Sequence, residues 1–108
     1  MIKDIVPGAF EEDDTYRVLD ITLAFLVQYF EHSEADAAAL MQHFFEHYSE
    51  RFDEDAVHHE SSYRMAAIIH YLSHKKGNPN ELGDWLISSG NNQTPREALE
   101  YFREHYIE

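Results

Sequence analysis

The chain has 108 residues, of which 44 % are apolar, 14 % aromatic and 27 % charged, with 21 acids, 8 Lys and Arg, 8 His and no Cys. That share of aliphatic and aromatic side chains can bury a modest globular core and argues against disorder. The missing cysteine excludes a disulfide scaffold, a thiol nucleophile and a thiolate-held metal.

Residues 1–13 read as an irregular N-terminal segment, with Pro7-Gly8 as a turn signal ahead of the acids Glu11 to Asp14. Asp13 or Asp14 caps a first helix from about Thr15 to Phe30. At about 100° per residue, its apolar positions Val18, Leu19, Ile21, Leu23, Phe25, Leu26, Val27, Tyr29 and Phe30 cover most of the circumference. Only Arg17, Asp20, Ala24, Gln28 and Glu31 form a polar strip. Such a helix belongs at the centre of a bundle, and self-association is the other way to cover it.

Ser33-Glu34-Ala35-Asp36 is a capping box opening a second helix to about Phe52, with Ala37, Leu40, Met41, Phe44, Tyr48 and Phe52 as its inner stripe. Asp53-Glu54-Asp55 caps a third helix reaching Lys76. Its core side is Val57, Ser61, Met65, Ile68 and Leu72, and Gly77 terminates it. Asn78-Pro79-Asn80-Glu81 starts a short fourth helix that packs Leu82, Trp85 and Leu86 and ends at Gly90. Thr94-Pro95-Arg96-Glu97 starts a fifth, to about Tyr106, whose inner face is Ala98, Leu99, Phe102 and Tyr106. The expectation is a single all-α domain over 1–108, a compact bundle of about five helices with the long first helix central.

His43-Phe44-Phe45-Glu46-His47 matches the H-x-x-E-H string of inverted zinc peptidases, and His70 and His74 form a second pair at spacing four. Both pairs lie about 120° or more from the apolar stripe of their helix, so they should face solvent instead of converging on a metal. No metal or other cofactor is therefore expected. Histidines at this density make the chain responsive to pH. No G-x-S-x-G elbow and no phosphate-cradling glycine loop occurs, so no catalytic residues and no enzyme activity are expected.

The formal net charge of −13 is unevenly spread. Residues 1–60 hold fifteen acids against Lys3, Arg17 and Arg51, while residues 61–108 hold six against five bases. Phosphate backbones and anionic lipid are repelled by this field, and basic proteins are attracted. No apolar run is long enough to span a bilayer and no secretory leader is visible, so a cytoplasmic location is expected.

The densest acid cluster surrounds the junction of the second and third helices. Glu34, Asp36, Glu54 and Asp55 sit at helix starts, where acids stabilise. Glu46 and Glu50 lie in closing turns and repel each other at spacing four, so the fold gains nothing from them. The partner-binding residues implied are Glu46, Glu50, Asp53, Glu54, Asp55 and Glu60, with His59 and Tyr63 as anchors. The implied partner is a basic protein. In physical type the chain is similar to bacterial immunity proteins and antitoxins that block cationic nucleases. A helical adaptor or regulatory domain, dimeric through the first helix, is the second reading, and a His-dependent metal protein the third.

Overall fold

The computed structural model describes Ile5, Phe10, residues 13–48, Val57 and residues 60–106. Five α-helices appear among them: α1 (Asp13–Phe30), α2 (Glu34–Tyr48), α3 (Ser62–Ile69), α4 (Leu82–Ser89) and α5 (Arg96–Tyr106). A π-helical turn, His70–His74, continues α3, and a 3-10 turn, Pro79–Glu81, leads into α4. No strand occurs among the described residues.

Helix α1 begins at Asp13, two residues before the expected start, so Asp13 and Asp14 make up its first turn, where acids meet the positive end of the helix dipole. Its polar strip behaves as expected: Arg17, Asp20, Gln28 and Glu31 are exposed, while Leu19, Phe25 and Leu26 are fully buried. Helices α2, α3 and α5 all pack on it, so the first helix is central. Thr22 is tolerated in this apolar setting because its hydroxyl is satisfied, donating to the Val18 carbonyl at 2.9 Å. The guanidinium of Arg17 donates to the Tyr106 carbonyl at 2.9 Å, tying the start of α1 to the end of α5.

Helix α2 is capped as its sequence demands, with the Asp36 N–H donating to Ser33 Oγ at 3.1 Å. Phe45, absent from the expected stripe, is buried beside Phe44, Met41 and Ala37, and its ring meets Phe10 edge-on at 5.7 Å.

The third helix differs most from expectation. Ser61 is not a core-facing residue within it but its N-cap, accepting from the Arg64 N–H at 3.0 Å; Asp53, Glu54 and Asp55 lie outside the described residues. From Ser62 to Ile69 every residue except Arg64 is buried. Ala66 and Ala67, both fully buried, have short side chains that favour close approach of a neighbouring helix. The chain therefore encloses two helices, α1 and α3.

Gly77 does not end the helix through a left-handed conformation; Lys76 does, at φ 53°. Gly77 is instead required by contact, because any Cβ there would overlap the Tyr71 ring. Asn78, Pro79 and Gly90 act as expected: the Asn78 side chain accepts from Asn80 N–H, Pro79 opens the turn, and Gly90 closes α4 at φ 79°. On α5 only Ala98 is fully enclosed. Leu99, expected inside, is 50 % exposed.

The buried residues form one contiguous cluster from Tyr16 to Ala98. The radius of gyration is 12.8 Å, close to the roughly 13 Å expected of a folded chain this long.

Candidate functional site

Two features stand out on the surface of this bundle. The first is a cleft of about 310 Å³ where the start of α3 faces α5 across Phe25 of α1. Its walls are mainly apolar, from Phe25, Tyr63, Ala98, Leu99 and Phe102, with Glu60, Ser61 and Thr94 at the polar side. The half-exposed Leu99 lines it. Ser61 and Thr94 are joined by a hydroxyl–hydroxyl hydrogen bond of 3.0 Å, so the cap of α3 also ties down the segment that precedes α5.

Two of the residues expected to bind a partner, Glu60 and Tyr63, meet at this cleft. Neither is free. Arg64 Nη1 donates to both carboxylate oxygens of Glu60, at 2.7 and 2.8 Å. Tyr63 is only 8 % exposed, its hydroxyl donates to Asn91 Oδ1 at 2.7 Å, and its ring lies against Tyr29 and Phe30. It serves as a wall of the cleft and not as a protruding anchor. Burial raises the phenol pKa of Tyr63, and neighbouring Tyr29 adds to the effect.

Glu46 is exposed on the last described turn of α2 and does not line this cleft. Its charge acts on His43, favouring the protonated ring. Glu50, Asp53, Glu54, Asp55 and His59 lie outside the described residues.

The second feature is a histidine corner that the sequence reading only half anticipated. His70 does not face solvent. It is half-buried, with its ring 5.0 Å from that of Phe30 and 5.0 Å from that of His32. His32, which carries no helical-spacing signal, lies two residues past the end of α1; its Nε2 lies 2.8 Å from His70 Nδ1, and its ring 4.7 Å from that of His74. His43 is likewise half-buried, with Nδ1 hydrogen-bonded to Ser73 Oγ at 3.0 Å, while His47 is exposed as expected. A shallow groove of about 380 Å³ runs past His32, Asp36, His43, Ser73 and His74.

Burial lowers the proton affinity of His70, and His32, His74 and Lys75 add to it, taking its pKa to about 4. His32 and His43 are lowered too, in both cases mainly by burial. No group of three or more His, Asp or Glu among the described residues is arranged to hold a metal ion. No described helix is long and apolar enough to cross a membrane.

No protein-family model, curated protein or solved structure matches this chain.

Proposed function

We propose that the chain is a non-catalytic, acidic interaction module that binds a basic protein, most concretely as an immunity protein or antitoxin-type inhibitor of a cationic toxin or nuclease. The observation that carries this reading is Glu46. It is exposed in the last described turn of α2, where the helix dipole disfavours an acid, and no Lys or Arg pairs with it among the described residues. A carboxylate with no Lys or Arg partner among the described residues is available to a cation on another molecule, and the net of −12 over residues 1–60 sets a steering field of matching sign. The cleft beside Glu60 supplies what charge alone lacks, an apolar recess with a charged rim.

Inhibition then follows from occupancy: carboxylates engage the Lys and Arg side chains with which a nuclease grips phosphate. The test is purification from the native host at low salt, followed by titration of any stoichiometric basic protein. The expected result is binding that weakens steeply with salt and with Glu46→Lys plus Glu50→Lys. Binding indifferent to both overturns the reading. Such indifference favours the alternative, a helical adaptor or regulatory domain associating through apolar surface, for which Ile87 and Leu99 at 67 % and 50 % exposure are the available contacts.

A further inference from the structure

His32, His70 and His74 come from two segments far apart in the chain, yet their ring centroids lie 4.7 to 5.1 Å from one another. Three departures from regular backbone surround them. Glu31, just before His32, is left-handed at φ 60°; His70–His74 is a π turn; Lys76 is left-handed at φ 53°. Each costs free energy for an ordinary residue and persists only where surrounding contacts enforce it. Glu31 and Lys76 are the only non-glycine residues with positive φ among those described, and both fall at this corner beside the π turn.

We propose that the three imidazoles form an acid-opened latch: neutral rings clasp the α1–α2 connection to the π turn, and accumulating protons on the cluster release it while the centre of α1 stays folded. The 2.8 Å contact between His32 Nε2 and His70 Nδ1 needs one nitrogen to donate and the other to accept. When both rings are protonated, two N–H groups confront each other and no acceptor remains. His74 stacks on His70 at 24°, with 5.1 Å between the ring centroids.

The surroundings favour the neutral state. On the π-turn side Lys75 acts against a proton on His70, and Lys76 does so on His43. From α2, Asp36 is the carboxylate that favours charge on His32, while His43 is held on Ser73 with His47 opposing and Glu46 favouring its charge. From α1, Phe30 presents an uncharged ring to His70, and Glu31 is exposed. The closed corner therefore binds protons more weakly than the open one. It is fully favoured above pH 6.5, the ordinary histidine value, and loses that advantage as pH falls toward about 4.

Amide hydrogen exchange on the intact chain tests this, with rates corrected for intrinsic pH dependence. The reporters are the N–H groups of His32, Lys75 and Gly77, which bond the carbonyls of Leu26, His70 and Tyr71. Between neutral pH and pH 4 they should lose about tenfold or more protection relative to the amides of Thr22 to Leu26, one pKa unit being a factor of ten. In His32→Gln plus His70→Asn, which keeps polar nitrogens but cannot titrate, the corner should hold its protection. Loss in step with the centre of α1, or an unchanged profile in the variant, overturns the proposal. Should the variant fail to fold, imidazole NMR titration of the native chain decides. Coupled titration of His32 and His70 below 6.5 supports the latch, and independent titration near that value overturns it.

Discussion

The two ends of α3 are finished in opposite ways. At the start, Ser61 Oγ accepts from the Arg64 N–H and from the Thr94 hydroxyl, and Glu60 pairs with Arg64 one turn on. Apart from the Thr94 bond, these contacts fall within four residues, as helix-capping chemistry prescribes. At the far end the helix widens into a π turn, with Lys75 N–H bonding the His70 carbonyl at 3.0 Å, and stops at a left-handed Lys76. The closing backbone bonds are local, Gly77 N–H reaching the Tyr71 carbonyl at 2.9 Å around the left-handed Lys76. The side-chain partners there are distant: His32 with His70 across 38 positions, Ser73 with His43 across 30, and Tyr71 stacked on Trp85 at 4.7 Å. A helix end can thus be set by neighbouring sequence or by what other elements press against it, and only the first kind is cheap to repair by local substitution.

The largest expected effect tests the packed end. Gly77→Ala places a Cβ in the Tyr71 ring, which cannot simply swing away because it stacks on Trp85 and its hydroxyl donates to the Asn78 carbonyl at 3.1 Å. Overpacking of this kind costs about 1–3 kcal/mol, to be read from the urea midpoint. An unchanged midpoint would mean that the π end is looser than the capped end. The capped end comes next: Ser61→Ala removes one acceptor that two donors share, and should cost about 1 kcal/mol. Ser61→Asp should recover most of it, since a carboxylate can accept both bonds. Smaller still, Lys76→Gly and Glu31→Gly relieve positive φ and should each stabilise by about 0.5–1 kcal/mol. If the proposed latch is correct, the strain they relieve sits at the corner it closes.

The same contrast explains what could be read in advance. Helix α1, the Ser33 box, the Asn78-Pro79 start and the Gly90 stop follow from periodicity and turn chemistry, because each depends on residues a few positions away. Helical spacing puts Ser61 on the stripe with Met65 and Ile68, and spacing cannot say where a helix begins. His70 was assigned to solvent by an angular step that assumes a straight α-helix. A π turn has more residues per turn and so a smaller angular step, and His32 has no periodic signal at all, lying two residues past the end of α1. Leu99 was placed inside by its spacing from Ala98 and Phe102, but α5 packs at the edge of the bundle and encloses only Ala98. Of the expected partner residues, Glu60 and Tyr63 meet at one cleft; the Glu60–Arg64 pair has a spacing of four that the sequence carries, but the Tyr63 hydroxyl on Asn91 is a tertiary fact that no sequence pattern carries.

The last described turn of α2 supplies a third case, and the smallest effect. That turn also breaks a local rule, with Glu46 where a cation would be favoured, but the side chain is exposed and has no ion-pair partner among the described residues. Glu46→Lys should therefore stabilise the chain by about 0.3–1 kcal/mol at low ionic strength, and less as salt is added. It should also make His43 harder to protonate, since the Glu46 charge now favours the cationic ring. A loss of stability would mean that the fold does use this carboxylate. The conflict would then be resolved inside the molecule, as it is at the π end of α3, and would no longer point to another molecule's cation. A gain leaves the conflict unresolved within the chain, which is the condition the proposed partner has to meet.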